Sequence, residues 1–200
     1  MKKLMLKTYQ KLCTEFYDLE IEQQKNNKTA LDFYMAYALN ANGPILEPMC
    51  GTGRFLIPML QANLDIEGFD ASENMLNALK EKYSKINLKK APVKKLFMQD
   101  FKSDKKYNLI FVPFGSWGLI TNVEESKKCL KIMYEHLAPN GELILEIDTI
   151  ASAPKTNGLE YFSSHILNNE SKITLNTLIN YNPKTQIFNS ICKYQFIKNG

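Results

Sequence analysis

The stretch Gly43–Leu60, GPILEPMCGTGRFLIPML, decides the fold of this chain. It opens with a short apolar segment, Pro44–Leu46, which predicts a strand, and continues through the glycine turn Cys50-Gly51-Thr52-Gly53. Two glycines two residues apart allow positive φ angles and leave no Cβ between the turn and a ligand. We predict a helix that opens on Arg54 and presents unpaired N–H groups behind the turn. Such a turn suits a nucleotide-like group.

The neighbours of the turn distinguish between nucleotides. A dinucleotide-binding fingerprint, G-x-G-x-x-G, requires a third glycine, and this position holds Leu56. Glu47 precedes the turn, where a carboxylate would repel a pyrophosphate and attract a cation. A second acid, Asp70, ends the next predicted strand. A nicotinamide oxidoreductase would share the sheet and the second acid, but Glu47 and Leu56 disfavour it.

The string from Glu47 to Arg54, E-P-M-C-G-T-G-R, together with Asp70, resembles motif I of the class I S-adenosylmethionine-dependent methyltransferases of the small-molecule type. The resemblance covers roughly residues 10–150 and implies a Rossmann-like α/β fold with S-adenosyl-L-methionine as the cofactor. In that family the glycine turn packs against the methionine and ribose portion of the cofactor, which is positive and has no phosphate. The resemblance therefore implies cofactor contacts from Glu47, Met49, Cys50, Gly51, Thr52, Gly53 and Arg54.

Residues farther along the chain gain roles from the same resemblance. Asp70 would accept charge-assisted hydrogen bonds from the ribose hydroxyls, or it would cap the following helix; Ser72 is an equally good cap, which frees Asp70 and favours the ribose role. Asp100 would accept from the adenine amino group with Phe101 as a ring contact, or it would be a plain turn residue. The remaining implied cofactor contacts are Tyr17, Ala71, Met75, Gln99, Pro113 and Phe114.

The periodicity of the chain predicts a doubly wound, mainly parallel sheet. Helices dominate residues 1–40, and strands and helices alternate afterwards. Beyond the first strand, the predicted strands are Asp65–Asp70, Lys95–Phe101, Tyr107–Pro113 and Glu142–Asp148. The predicted helices between them are Arg54–Gln61, Ala71–Lys85 and Val123–Leu137. Since parallel strands joined by helices follow right-handed crossovers, we predict the strand order 3-2-1-4-5.

The last part of the chain changes character. Three segments alternate apolar and polar residues and predict an antiparallel β appendage: Glu160–Leu167, Lys172–Tyr181 and Gln186–Phe196. Either the sequence is truncated before the family's last strands, or the hairpin of the last two segments fills the sixth and seventh sheet positions. We favour truncation, because residues 151–171 make a poor crossover helix. We predict a methyltransferase core with N-terminal helices over residues 1–150, and an appendage packed on it over residues 151–200.

Composition and charge narrow the function classes. The hydrophobic fraction of 44% and the charged fraction of 23% are those of a soluble globular protein. The apolar runs are too short to span a bilayer and no signal peptide is recognisable, so we expect a cytoplasmic protein without membrane contact. Lysines between Lys80 and Lys106 are interleaved with acids, without an aromatic stacking surface, which disfavours nucleic acid as a partner. The four cysteines form no C-x-x-C pair, so we expect neither a metal site nor a disulfide framework.

The function predicted from this pattern is methyl transfer to a small-molecule acceptor, achieved mainly by proximity and alignment. The reaction need not use a general base; His165 is the candidate if one exists, whereas we expect a structural role for His136. The appendage would supply acceptor contacts or the surface of a homodimer. A cofactor-binding domain without turnover, with a regulatory or interaction role, is the main alternative. An RNA methyltransferase and a nicotinamide oxidoreductase are further alternatives.

Overall fold

The structure is a computed structural model of the chain and describes residues 9–23, 27–86 and 92–198. The α-helices are α1 (Lys11–Gln23), α2 (Asn27–Asn40), α3 (Leu56–Gln61), α4 (Glu73–Ser84) and α5 (Val123–His136). The strands are β1 (Ile45–Pro48), β2 (Ile66–Asp70), β3 (Val93–Lys95), β4 (Tyr107–Val112), β5 (Leu137–Leu145), β6 (Leu159–Asn168), β7 (Ser171–Asn182) and β8 (Ile187–Lys198). Short 3-10 helices cover Met98–Asp100, Ser116–Leu119 and Ile150–Ser152. The first eight residues of the region predicted to be helical, residues 1–40, lie outside the described residues.

The first five strands form a parallel sheet in the order β3-β2-β1-β4-β5, which confirms the prediction. Successive residues of a strand point to opposite faces of a sheet. In β1, Ile45 accordingly lies in a hydrophobic cluster with residues of α2, α3 and α4, while Leu46 lies in a second cluster with residues of α5. Helices therefore cover both faces, as in a doubly wound fold.

The segment Lys95–Phe101 is not the strand that the sequence predicted. The strand β3 ends at Lys95, and Met98–Asp100 form a 3-10 helix. Met98 and Phe101 are both buried in the same hydrophobic cluster. Residues three apart point to opposite faces of a strand but to the same side of a 3-10 helix, so burying both side chains together requires the turn.

The C-terminal segments form an antiparallel sheet in the order β6-β7-β8, as predicted. The turn between the last two strands is held by Asn182, whose side-chain oxygen accepts from the N–H groups of Lys184 and Thr185 at 3.0 and 3.4 Å. Among the described residues these strands are separate from the five-stranded sheet. The alternative in which the hairpin fills the sixth and seventh positions of that sheet is therefore wrong.

The described chain divides into two compact units. Residues 27–86 and 92–147 form the first, and residues 9–23 and 148–198 form the second. This division groups α1 with the C-terminal strands, whereas the sequence placed all N-terminal helices with the core; the domain boundaries stay a prediction. Within the second unit, the Phe16 ring of α1 lies 4.6 Å from the His165 ring of β6 and 5.5 Å from the Tyr194 ring of β8. No helix in the described part of the chain has the length and apolar character needed to cross a membrane.

Gly141 lets β5 approach β4 closely. A Cβ at this position would lie 2.7 Å from the carbonyl oxygen of Tyr107 and 3.0 Å from that of Ala138. Since both are backbone atoms, we expect Gly141→Ala to lower the free energy of unfolding by about 1–3 kcal/mol. Gly118→Ala is the matched control, because a Cβ there meets nothing within 4 Å. Urea unfolding of both variants checks this; an equally small loss in both would contradict the close approach.

Candidate active site

The glycine turn lies at the carboxyl end of β1, on the edge of the sheet where ligands of open α/β folds bind. The Cys50 N–H donates to the Phe69 carbonyl at 3.1 Å, which ties the turn to β2. Gly51 and Gly53 have φ angles of 54° and 82°, in the left-handed region. A Cβ on Gly51 would meet nothing within 4 Å, whereas one on Gly53 would lie 3.0 Å from Ile57. Gly51 thus faces open space, and Gly53 permits close packing.

The helix behind the turn differs from the prediction. It begins at Leu56, not at Arg54, and spans six residues. The Leu56 N–H donates to the Glu47 carboxylate, so this donor is not presented to a ligand. The predicted helix N-terminus with unpaired N–H groups is therefore corrected: Glu47 satisfies the start of α3, and Arg54 belongs to the turn.

Glu47 is a buried acid with unused hydrogen-bonding capacity. Its residue is 1% exposed, and its Oε2 atom has no partner within the described part of the chain. Burial, and secondly the charge of Asp70, raise the pKa of this carboxyl well above its ordinary value. A buried carboxylate with an unsatisfied oxygen is costly, so the arrangement favours a bound cation or a proton at this position.

Asp70 ends β2 beside the glycine turn. Its Oδ2 accepts from the Gly51 N–H at 2.9 Å and its Oδ1 from the Ser72 N–H at 2.7 Å. Ser72 caps α4 by accepting from the Met75 N–H, as predicted, but Asp70 is not freed by this cap. Burial raises the pKa of Asp70, while its backbone hydrogen bonds oppose the rise. A carboxylate oxygen can accept a second hydrogen bond, so Asp70 retains capacity for hydroxyl donors.

Two bulky residues with strained backbone mark the same edge of the sheet. Met49 follows β1 with φ 58°, and Phe114 follows β4 with φ 62°. Among the described residues of the first unit, every other residue with positive φ is a glycine or an asparagine. Left-handed backbone at a bulky side chain costs roughly 1–2 kcal/mol. Such strain clusters at functional sites, where the surrounding structure maintains it.

A network of side chains surrounds Phe114. The Cζ atom of Arg54 lies 4.1 Å from the centroid of the Phe114 ring. Glu146 Oε2 accepts from the Phe114 N–H at 2.7 Å and from the Tyr34 hydroxyl at 2.9 Å. Glu146 was not among the predicted site residues, because the sequence predicted a strand up to Asp148, whereas β5 ends at Leu145. An acid directly after a parallel strand was the available signal.

The predicted adenine contacts follow β3. Gln99 and Asp100 lie in the 3-10 helix, with Gln99 half-buried and Asp100 exposed. Phe101 is 5% exposed, and its ring stacks on Phe69 at a centroid distance of 4.9 Å. Little surface of the Phe101 ring is therefore available to a ligand. Its role as a ring contact stays a prediction.

The other predicted contacts of the first unit fall into two groups. Four follow a strand or lie in the glycine turn at the carboxyl edge of the sheet: Cys50, Thr52, Ala71 and Pro113. Of these, Cys50 and Thr52 are buried, and burial raises the pKa of the Cys50 thiol well above its ordinary value. Met75 is buried in the first turns of α4.

Tyr17 and His165 lie in the second unit. His165 is 5% exposed, and its Nε2 lies 3.2 Å from Glu20 Oε2. The roles predicted for Tyr17 and His165 stay predictions. His136 connects α5 to a loop of the first unit: its Nδ1–H donates to the Ile132 carbonyl and its Nε2 accepts from the Ser103 N–H. These partners assign the neutral tautomer and give His136 a structural role.

Residues 45–141 match a protein family model described as a methyltransferase domain. The chain is also 28% identical over 102 residues to a dTDP-3-amino-3,4,6-trideoxy-alpha-D-glucopyranose N,N-dimethyltransferase of Streptomyces venezuelae. That alignment includes 51% of this chain and 41% of the relative, so the chain spans about two-fifths of the relative's length.

Solved structures share the fold. One is the sugar N-methyltransferase KedS8 from Streptoalloteichus, with a TM-score of 0.63 and 17% identity over 100% of this chain and 84% of that protein. Another is CalS10, an amino pentose methyltransferase from Micromonospora echinaspora solved with S-adenosylmethionine, with a TM-score of 0.65 and 14% identity over 98% of this chain and 85% of that protein. Residues 45–141 thus match a methyltransferase domain, and the chain has the Rossmann-like fold of these S-adenosylmethionine-dependent methyltransferases, with the same kind of five-stranded parallel sheet.

Proposed function

We propose that the chain binds S-adenosyl-L-methionine at the carboxyl edge of the five-stranded sheet and transfers its methyl group to a small-molecule acceptor. The main support for this proposal is Glu47. It is a buried carboxylate with an unpartnered oxygen, and it lies behind a glycine turn that opens onto free space. This arrangement suits a positively charged nucleoside and disfavours a pyrophosphate. When bound, the cofactor supplies an electrophilic methyl group, so the chain's own work is binding, alignment and exclusion of water.

The proposed roles follow from position and chemistry. Glu47 would stabilise the positive end of the cofactor, and Gly51 would allow the turn to approach it. Asp70 would accept from the ribose hydroxyls with the lone pairs that Gly51 and Ser72 leave unused. Asp100 would accept from the adenine amino group. Other contacts in this proposal are Tyr17, Met49, Cys50, Thr52, Gly53, Arg54, Ala71, Met75, Gln99, Phe101, Pro113 and Phe114.

We propose an amine on a sugar as the acceptor class. The support comes from the relatives, since the aligned Streptomyces venezuelae protein is named for an amino sugar and the two structures are named as sugar N-methyltransferase and amino pentose methyltransferase. In such a transfer the nitrogen lone pair forms the new N–C bond while the S–C bond breaks. The products are the methylated amine and S-adenosylhomocysteine, and one amine proton passes to solvent.

Titration calorimetry with S-adenosylmethionine, S-adenosylhomocysteine and NADH tests the cofactor. We expect binding of the first two and none of NADH. Binding of NADH alone would overturn the proposal in favour of an oxidoreductase.

A second assay then measures S-adenosylhomocysteine formation with dTDP-linked amino sugars and with the matched hydroxyl sugars. Turnover with the amines alone supports the acceptor class; cofactor binding without turnover would instead support a regulatory or interaction role.

A homodimer through the C-terminal strands is part of the same proposal. The support is a set of exposed apolar side chains on β6 and β8, among them Phe162, Phe188 and Ile191. Light scattering gives the mass in solution, and Ile191→Lys should shift a dimer to monomer. A monomeric wild-type protein would contradict the dimer.

Glu47 should make the binding of S-adenosylmethionine depend on pH. Burial raises the pKa of Glu47 well above its ordinary value, so the cofactor-free protein favours the protonated carboxyl, whereas a cationic ligand favours the ionised form. We therefore expect binding to tighten as pH rises and to release protons. Calorimetry in buffers of different ionisation enthalpy measures both effects. Glu47→Gln should reduce the pH dependence to the part that Asp70 supplies, while Glu142→Gln, at an exposed position of β5, should retain it in full.

The same shift predicts the pH dependence of stability. A raised pKa in the folded state means that the folded protein binds more protons than the unfolded chain above about pH 4.5. The contribution of Glu47 to the free energy of unfolding is therefore present below that pH and is lost as pH rises. In the cofactor-free protein, Glu47→Gln should gain stability over wild type as pH rises. A constant difference across the range would contradict the shifted pKa.

A further inference from the structure

We infer that Glu146 is a positioning residue for the cofactor pocket: it holds Phe114 in its left-handed conformation and thereby keeps the Phe114 ring against Arg54. The inference rests on the proposed function, in which Phe114 and Arg54 border the cofactor.

The carboxylate of Glu146 is fixed from two sides. Its Oε2 accepts from the Phe114 N–H at 2.7 Å and from the Tyr34 hydroxyl at 2.9 Å. The backbone N–H of Glu146 donates to the Val112 carbonyl at 3.0 Å, which ties the start of its own side chain to β4. The carboxylate therefore has little freedom to leave the Phe114 N–H.

Tyr34 is a rigid anchor for this carboxylate. It is 3% exposed, and its ring lies 5.0 Å from the Phe55 ring and 5.2 Å from the Phe111 ring in the hydrophobic core. Burial, and secondly the hydrogen bond to Glu146, raise the pKa of Tyr34 far above its ordinary value. Tyr34 thus stays protonated near neutral pH and can donate a hydrogen bond to Glu146.

The backbone conformation of Phe114 requires a stabilising interaction such as this hydrogen bond. Phe114 and Gly115 have φ angles of 62° and 65°, so two successive residues are left-handed. Glycine adopts this region freely, but phenylalanine does so only where its surroundings impose it. Without the bond from its N–H to Glu146, we expect Phe114 to return to negative φ. Its ring would then leave the Arg54 guanidinium, whose Cζ lies 4.1 Å away.

The chain contains a reporter for this loop. Trp117 is the single tryptophan of the sequence and lies in the 3-10 helix Ser116–Leu119, directly after the two left-handed residues. Its Nε1–H donates to the Ser126 hydroxyl of α5 at 3.1 Å. Acrylamide quenching of Trp117 fluorescence therefore measures the order of the loop in the cofactor-free protein.

The test compares Glu146→Ala with Glu146→Gln. The alanine variant loses both hydrogen bonds, so it should raise the quenching constant and weaken S-adenosylhomocysteine binding about tenfold or more by calorimetry. The glutamine variant keeps an acceptor oxygen without the charge, so its quenching and affinity should stay within about threefold of wild type. Glu142→Ala, an exposed acid on β5, controls for the loss of a surface charge.

Two results would overturn the inference. One is unchanged quenching in Glu146→Ala; the other is a Glu146→Gln variant as impaired as the alanine variant, which would assign the effect to charge. Should Glu146→Ala fail to fold, Tyr34→Phe replaces it, and unchanged quenching there counts against the inference. The proposed function is judged separately: a wild-type protein that does not bind S-adenosylhomocysteine contradicts it, while the quenching experiment still decides whether Glu146 holds the loop.

Discussion

Gly51→Val is expected to abolish binding of S-adenosylmethionine while leaving the protein folded. The loss should be at least about a hundredfold in affinity, equivalent to about 2.7 kcal/mol. Gly51 faces open space, with nothing within 4 Å of an added Cβ, so the valine side chain would occupy the volume proposed for the cofactor. Its φ of 54° adds backbone strain of about 1–2 kcal/mol for any L residue.

Gly158→Val separates the two effects. Gly158 has φ 71° and also meets nothing within 4 Å, but it lies in the second unit, before β6. Both variants should lose similar stability in urea unfolding, and only Gly51→Val should lose binding in calorimetry. Undiminished binding by Gly51→Val would remove the turn from the site. A misfolded Gly51→Val beside a folded Gly158→Val would show that Gly51 serves the fold.

Asp70→Ala is expected to weaken S-adenosylmethionine binding roughly ten- to a hundredfold. A hydrogen bond to a charged group contributes about 1.5–3 kcal/mol, and the ribose would lose its acceptor. The Gly51 N–H would also lose its partner at 2.9 Å, which loosens the turn. Asp70→Asn keeps one acceptor oxygen but places an amide NH₂ near a backbone donor, so we expect an intermediate affinity.

The control for Asp70 is Glu73→Ala. Glu73 lies three residues later, is exposed and pairs with Lys95 at 3.0 Å, so its replacement removes one negative charge without touching the turn. Calorimetry should give a near wild-type affinity for this variant. If both variants weaken binding equally, the effect of Asp70 is general electrostatics, and an unchanged affinity in Asp70→Ala would exclude it from the site.

Local sequence patterns predicted most of the strands and helices of the fold. The continuous apolar run in Tyr107–Val112 predicts a strand buried on both faces, and β4 is an interior strand of the sheet, between β1 and β5. The alternation after Glu160 predicts strands, and three antiparallel strands form there. The strand predicted at Lys95–Phe101 was wrong, because the same short apolar pattern fits a strand or a turn. The burial of Met98 and Phe101 on one side decides for the turn.

The candidate site was predictable only where its residues are neighbours in sequence. The glycine turn and Glu47 are recognisable within eight residues, and Asp70 follows from its place at a strand end. Tyr34 and Glu146 are 112 residues apart, and no pattern joins them. The left-handed backbone of Phe114 was likewise invisible, because phenylalanine does not predict positive φ.

The sequence by itself determined the order of strands and helices, the sheet order 3-2-1-4-5, the glycine turn and the acids beside it. Periodicity and turn residues encode the strands, helices and turns locally, and the right-handedness of the crossovers limits the sheet orders that remain. Only the tertiary structure decided that Glu47 bonds to Leu56, that Glu146 holds Phe114 and that α1 groups with the C-terminal strands. These contacts join distant segments, and their geometry depends on burial and hydrogen-bond satisfaction in the folded chain.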